Sequence, residues 1–133
     1  MPTSPEPLVI RQEDDVVYVR KEVRRQAVEI GFGLVDQTKI VTAASELARN
    51  TLVHGGGGEM RVEVVEQGGG RGLRLTFSDQ GPGIPDLEQA LRDGFTTGGG
   101  LGLGLGGARR LVSDFVVDTA PGRGTRVTIT KWR

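Results

Sequence analysis

Asp79-Gln-Gly-Pro-Gly-Ile-Pro85 is the stretch on which the fold turns. Asp79 closes a run, Leu73-Arg-Leu-Thr-Phe-Ser78, that is apolar at alternate positions, as a half-buried strand is. Gly81 and Gly83 permit positive φ and let backbone approach a flat ring closely. Pro82 and Pro85 stiffen the turn, and Ile84 can pack on such a ring. An acid placed there can accept a hydrogen bond from an exocyclic amine such as that of adenine. The same residues also suit a plain turn capped by the Asp79 side chain, and alone the stretch does not choose between the two.

Downstream lies Gly98–Gly107, glycine at every position except Leu101, Leu103 and Leu105. Glycine costs roughly 0.5–1 kcal/mol of order per residue relative to alanine, so the run is a poor way to build a core. It suits a mobile lid whose bare N–H groups meet phosphates, with a helix starting near Leu105 adding its positive end. A flexible linker is the plainer reading, but linkers mix serine with glycine, whereas leucines alternate here. The match to G-x-G-x-x-G at Gly102–Gly107 is weak, because a dinucleotide fingerprint follows a strand and opens the first βαβ unit. No Gly-Lys-Ser/Thr follows the glycines, which excludes a Walker A loop, and His-Arg-Asp and Asp-Phe-Gly are absent, which excludes the eukaryotic kinase set.

Upstream, Glu46-Leu-Ala-Arg-Asn50 puts an acid and an amide four residues apart, side by side on a helix. An amide oxygen can hold a hard cation such as Mg2+, which is usually shared with phosphates and water, and an adjacent carboxylate can take a proton from a nucleophilic hydroxyl. By itself the pair reads more simply as a solvated Glu and a hydrogen-bonded Asn. The single histidine, His54, is expected to cap the last carbonyls of this helix rather than to catalyse.

The remaining pattern supplies a scaffold. Leu8–Arg11 reads as a short strand. Val16, Val19, Val23, Ala27 and Ile30 recur as one helix face, with Asp14 or Asp15 as N-cap and Gly31 as stop. A second helix spans about Val35–His54, with Ile40, Ala44, Leu47, Ala48, Thr51 and Leu52 inward. Met60–Val65 and Leu73–Ser78 form a hairpin around Gly68–Gly72. Asp86-Leu-Glu-Gln89 is a capping box opening a short helix to about Asp93. A helix near Gly107–Val112, a strand Phe115–Thr119, the turn Pro121–Gly124 and a strand Thr125–Trp132 follow, with Phe115 and Trp132 expected in the core. The order is α+β: a two-layer α/β sandwich, its mixed, mostly antiparallel sheet covered by helices on one face and open on the other.

The chain has 133 residues, 36% hydrophobic and 26% charged, which fits one globular domain over 1–133 with residues 1–7 as a frayed arm. Lys+Arg equals Asp+Glu at 17 each, which argues against nucleic acid as partner. Cysteine is absent, ruling out disulfides and thiolate chemistry. No apolar run approaches the roughly 20 residues that span a bilayer, and the start lacks a signal-peptide pattern. A cytoplasmic protein without membrane contact is expected.

In this order and spacing the motifs resemble the Bergerat ATP-binding fold of the GHKL superfamily. Glu46–Asn50 matches the N box, Asp79–Gly83 the first glycine box, Gly98–Gly107 the lid and second glycine box, and Gly122-Arg-Gly-Thr125 the last. A full histidine kinase is not expected from a chain of one domain's length. Glu29-Ile-Gly-Phe32, Ser45–Asn50, Asp79–Asp86, Asp93-Gly-Phe-Thr96 and Lys131-Trp132 carry a closer similarity to the small anti-sigma-type serine/threonine kinases, in particular the stressosome switch kinases of the RsbT type. The resemblance implies ATP and Mg2+ as cofactors. It implies Glu46 as base toward the acceptor hydroxyl, Asn50 as the Mg2+ ligand, and Asp79 as reader of adenine. Gly81, Gly83 and Ile84 would surround the base, and Thr125 would support it through water. The phosphates would meet the backbone of Gly98, Gly99, Gly100, Leu101, Gly102, Leu103, Gly104, Leu105 and Gly106. The implied partners are STAS-domain substrates of the RsbS and RsbR kind and a PP2C-type phosphatase of the RsbU kind, activated on release. Two alternatives share the fold: an anti-sigma factor kinase that sequesters a sigma factor, and a nucleotide-binding activator without catalysis. The sequence departs from the pattern at His54, which four glycines follow, and at Gly106, where a proline is expected.

Overall fold

A computed structural model describes residues 6–84, 88, 91 and 104–133. The described elements are β1 (Leu8–Ile10), α1 (Glu13–Glu29), α2 (Leu34–Val53), β2 (Gly58–Gln67), β3 (Gly70–Asp79), α3 (Gly104–Arg110), β4 (Asp114–Thr119) and β5 (Thr125–Trp132). The capping box at Asp86–Gln89 and its helix fall outside the described residues except for Glu88 and Leu91.

The strands lie in the order β1-β2-β3-β5-β4, and each described neighbour pair is antiparallel. Register follows from alternation. Met60, Phe77, Val127 and Val117 form one row across four strands, and Val62, Leu75, Ile129 and Phe115 the next. A strand sends successive side chains to opposite faces, so these rows share the face on which the helices lie. Their buried members join Val16, Val19, Val23 and Ala27 of α1 and Ile40, Ala44 and Leu47 of α2 in one core. The opposite face is polar and carries the cross-strand pairs Glu63 with Arg74 and Arg126 with Asp118. Trp132 belongs to that face, not to the core: it sits opposite Gly72, one residue out of phase with Leu73 and Lys131. Its Nε1–H donates to Asp114 Oδ2 at 3.3 Å.

Helix ends follow local chemistry. The N-cap of α1 is Gln12 rather than Asp14 or Asp15. Asp15 sits three residues in and reaches back, its Oδ2 accepting the Arg11 and Gln12 N–H groups at 2.8 and 3.1 Å. A short acid does this equally well from the third position, where the first N–H groups are orphaned. At the other end Phe32 N–H bonds to Ala27 O and Gly31 N–H to Val28 O, a Schellman closure that turns Phe32 into the core. Lys131 of β5 meets Asp36 of α2 at 3.4 Å, tying sheet to helix layer.

Candidate nucleotide site

One end of the sheet gathers the sequence motifs. Gly58, Asp79, Thr125 and Thr119 are successive partners across β2, β3, β5 and β4. Asp79 and Thr125 are 9% and 8% exposed, so the acid is set into the protein rather than solvated. The Asp79 Oδ1 accepts the Gly81 N–H at 2.9 Å, which folds the following turn back on its own strand. That turn rests on the β4–β5 turn: Gly122 N–H donates to Pro82 O at 2.8 Å, and Ile84 N–H to Thr119 Oγ1 at 3.0 Å. Ile84 packs against the edge of the core. The contact is backbone on backbone, because a Cβ on Gly83 would lie 2.3 Å from Ala120 O and one on Gly124 2.1 Å from Asp79 O.

Helix α2 brings the second motif to this place. Glu46 is 7% exposed, on the buried side of the helix beside Leu47 and Ala43. The simple expectation of a solvated Glu therefore fails. Asn50, one turn on, is half-buried, and its backbone carbonyl accepts N–H groups from His54 at 2.9 Å and Gly55 at 3.3 Å. His54 occupies the C-cap position, its backbone N–H making the last helical bond, to Asn50 O. Gly55 then lies against the acid of the first motif: a Cβ there would meet Asp79 Cγ at 2.4 Å and Oδ2 at 2.6 Å. Gly81 packs on the backbone of Gly55 in the same way. Asn50, Gly55, Asp79 and Gly81 are thus one contiguous surface.

The end of the glycine run completes the group. Gly104 opens α3, and its N–H donates to Glu46 Oε1 at 3.2 Å. Leu105, Gly106 and Ala108 are buried against α2, so the Leu105 side chain serves the core and only its backbone is available to a ligand. Gly98, Gly99, Gly100, Leu101, Gly102 and Leu103 lie outside the described residues. Two open grooves meet at Ser78, Asp79 and Gln80, one bounded by Thr119, Gly124 and Thr125 and the other by Gly55–Gly58.

An acceptor-only carboxylate, a hydroxyl beside it, a buried carboxylate and an amide oxygen can together bind a base through its amine and handle a proton near a bound phosphate. Gly55 and Thr119 escaped the sequence reading. Gly55 is the first of the four glycines after His54, more than a helix end requires, and that excess was a signal. Thr119 could be found only by register, as the residue opposite Thr125 across the turn.

The chain matches the family model described as histidine kinase-, DNA gyrase B-, and HSP90-like ATPase over residues 35–133. It is 46% identical over 123 residues to the serine/threonine-protein kinase RsbT of Bacillus subtilis (strain 168), covering 92% of each chain. It is 35% identical over 99 residues to the anti-sigma F factor of Bacillus licheniformis, covering 71% of this chain and 68% of that one. Among solved structures, the RsbU and RsbW domains of a Mycobacterium tuberculosis protein superpose with a TM-score of 0.67 at 25% identity. That match covers 99% of this chain and 34% of the longer one.

Proposed function

The chain belongs to the histidine kinase-, DNA gyrase B- and HSP90-like ATPase family, and from that membership we infer that it is an ATP-dependent protein serine/threonine kinase working by partner switching among regulatory proteins. The observation that carries the catalytic part is the burial of Glu46 one turn from Asn50, at the end of the glycine run.

In this reading Asp79 accepts a hydrogen bond from the adenine amine, Gly81 and Gly83 let the base approach, and Ile84 and Thr125 bound it. The backbone of Gly98–Gly106 meets the phosphates. Glu46 takes the proton of the docked hydroxyl as its oxygen attacks the γ-phosphorus; the bond to the β-phosphate oxygen breaks and ADP leaves. Asn50 offers an amide oxygen for Mg2+. No group of three acidic or histidine side chains gathers among the described residues, so the donor set suits a cation held mostly by phosphate and water. When bound, the ion would neutralise phosphate charge. We assign STAS-domain proteins of the RsbS and RsbR kind as substrates, a PP2C-type phosphatase of the RsbU kind as the partner activated on release, and the cytoplasm as compartment. Among the described residues no helix is long and apolar enough to cross a membrane.

The test is transfer of radiolabel from the γ-phosphate of ATP to purified STAS-domain proteins. Glu46→Ala is expected to bind ATP and to lose transfer by at least about 100-fold, the low end for a general base. Asn50→Ala is expected to lose both. Transfer by Glu46→Ala at the wild-type rate would remove Glu46 as base. Phosphatase activation without any transfer by the wild type would favour the non-catalytic reading. The likeness to anti-sigma F factors supports a second reading, sequestration of a sigma factor, which a pull-down with purified sigma factor separates from the first.

A further inference from the structure

Helix α1 buries one stripe and leaves a second, patterned one outside. Away from the buried Val16, Val19, Val23 and Ala27 run Val17, Lys21, Arg24 and Val28, spaced four, three and four residues and therefore on one side of the helix. Val17 and Val28 are 46% and 55% exposed and mark the ends of the stripe, about 16 Å apart at 1.5 Å per residue. Beyond the Gly31 turn, Leu34 and Val35 open α2 at 72% and 67% exposure, so apolar surface continues past the Val28 end. Charge on α1 is sorted between its flanks. Arg25 lies 2.6 Å from both Glu22 and Glu29, and Arg49 of α2 takes Glu13 at 3.0 Å. Arg20 and Lys21 pair with no acid among the described residues, and Arg24 meets the neutral Gln37 amide at 3.2 Å. The middle of the stripe is thus cationic in a chain whose net charge is zero.

Charge and shape select the occupant. The stripe is symmetric about its midpoint, so a second copy packed on it about a twofold axis would set Lys21 against Arg24, like charge on like. A planar anionic membrane would meet the whole outer side of α1, where Asp14, Glu22 and Glu29 lie beside the cations. A partner helix is narrow enough to follow the one stripe, and its complement has two acids at the centre and apolar residues eleven apart at the ends. Position assigns that partner's role. Helix α2 packs on both α1 and α3 and lies between them, and Glu46 is on the α3 flank, bonded to the Gly104 N–H. An acceptor hydroxyl delivered to Glu46 comes to that flank, and a helix on the α1 stripe leaves it clear. We propose that the outer stripe of α1 docks an acidic amphipathic helix of a partner that is not the phosphate acceptor, so that docking and phosphoryl transfer use separate surfaces. This rests on the partner-switching reading above.

The experiment compares the wild type with Lys21→Glu/Arg24→Glu in calorimetric binding to the purified PP2C-type phosphatase and in radiolabel transfer to the STAS-domain proteins. With about tenfold for each charge contact, the double variant should bind the phosphatase at least about 100-fold more weakly and transfer label at the wild-type rate. Undiminished binding, or transfer that falls together with binding, overturns the proposal. If that variant does not fold, Arg20→Glu/Lys21→Glu, at two exposed positions, takes its place. Two synthetic helical peptides give a readout that needs no phosphatase: Leu-x3-Glu-x2-Glu-x3-Leu, and its counterpart with lysine at both glutamates. The wild type should prefer the glutamate peptide by at least about tenfold, with amide shifts in NMR confined to α1 and the first turn of α2, and the double variant should reverse the preference. Equal affinity for the two peptides, or no binding of the glutamate peptide, overturns the proposal. A wild-type dimer in sedimentation that the double variant loses overturns it in favour of a second copy. Binding to phosphatidylglycerol vesicles in preference to the glutamate peptide overturns it in favour of a membrane. Absence of label transfer by the wild type defeats the kinase reading itself, whereas transfer without any peptide preference defeats only this proposal.

Discussion

Gly55 shows what one missing side chain does here. Its backbone occupies the space beside the Asp79 carboxylate, and a Cβ at 2.4 Å from Asp79 Cγ requires one of the two to move. The side chain of Asp79 is the softer partner, because its strand is bonded on both sides. Gly55→Ala is therefore expected to displace the carboxylate and leave the fold in place. The check is ATP affinity together with a melting curve: affinity falls at least about tenfold, the worth of one charge-assisted hydrogen bond, while the cooperative transition persists. At this scale the sequence named Asp79, Glu46 and Asn50, because acids and amides beside glycines are visible in one dimension, and the family resemblance added Thr125. It did not name Gly55 or Thr119, whose importance comes from what lies against them, 24 residues and one strand away respectively in the chain's own order.

Helices were the most legible elements. The stripe at Val16, Val19, Val23 and Ala27 is buried in α1 as spacing requires, and α2 begins and ends within a residue of the limits expected of it. On α2 the apolar stripe misled in one respect: it placed Glu46 beside the core, whereas α3 packing against α2 covers that flank too. Strand lengths were underestimated, with β2 and β3 running to Gln67 and from Gly70, because ladder bonding continues past the last apolar residue. The solvent face of α1 carries a testable charge pair. The Glu22 carboxyl is held below its usual value of 4.5, mainly by the side-chain hydrogen bond from Arg25, against the opposing effect of its partial burial. A depressed folded-state pKa adds stability above the unfolded value and loses it as pH falls through the folded one. Glu22→Gln is expected to lower the melting temperature slightly at pH 7 and to make no difference near pH 2, in melting curves taken across that range. The effect is small because Arg25 is exposed and the pair is open to screening by salt.

The molecule as a whole is an antiparallel sheet, and α2 both shares in covering its buried face with α1 and reaches the end that carries the candidate site. Leu47 of α2 is 1% exposed in the core between the helices and the sheet. Leu47→Ala is expected to cost about 3–5 kcal/mol, the range for a buried leucine whose cavity does not collapse, measured by urea denaturation. From sequence alone came the elements, their mostly antiparallel pairing, the inward faces and the residue types of a nucleotide site, since each rests on local periodicity or on short motifs. Tertiary structure alone decided the strand order β1-β2-β3-β5-β4, the displacement of Trp132 to the open face, and the meeting of Gly104 with Glu46 and of Thr119 with Ile84. The physical reason is the same in each case. Local patterns say which side of an element is apolar, but which residues of distant segments share a row of the sheet is set by register and packing across the whole core, and the site is assembled from such rows.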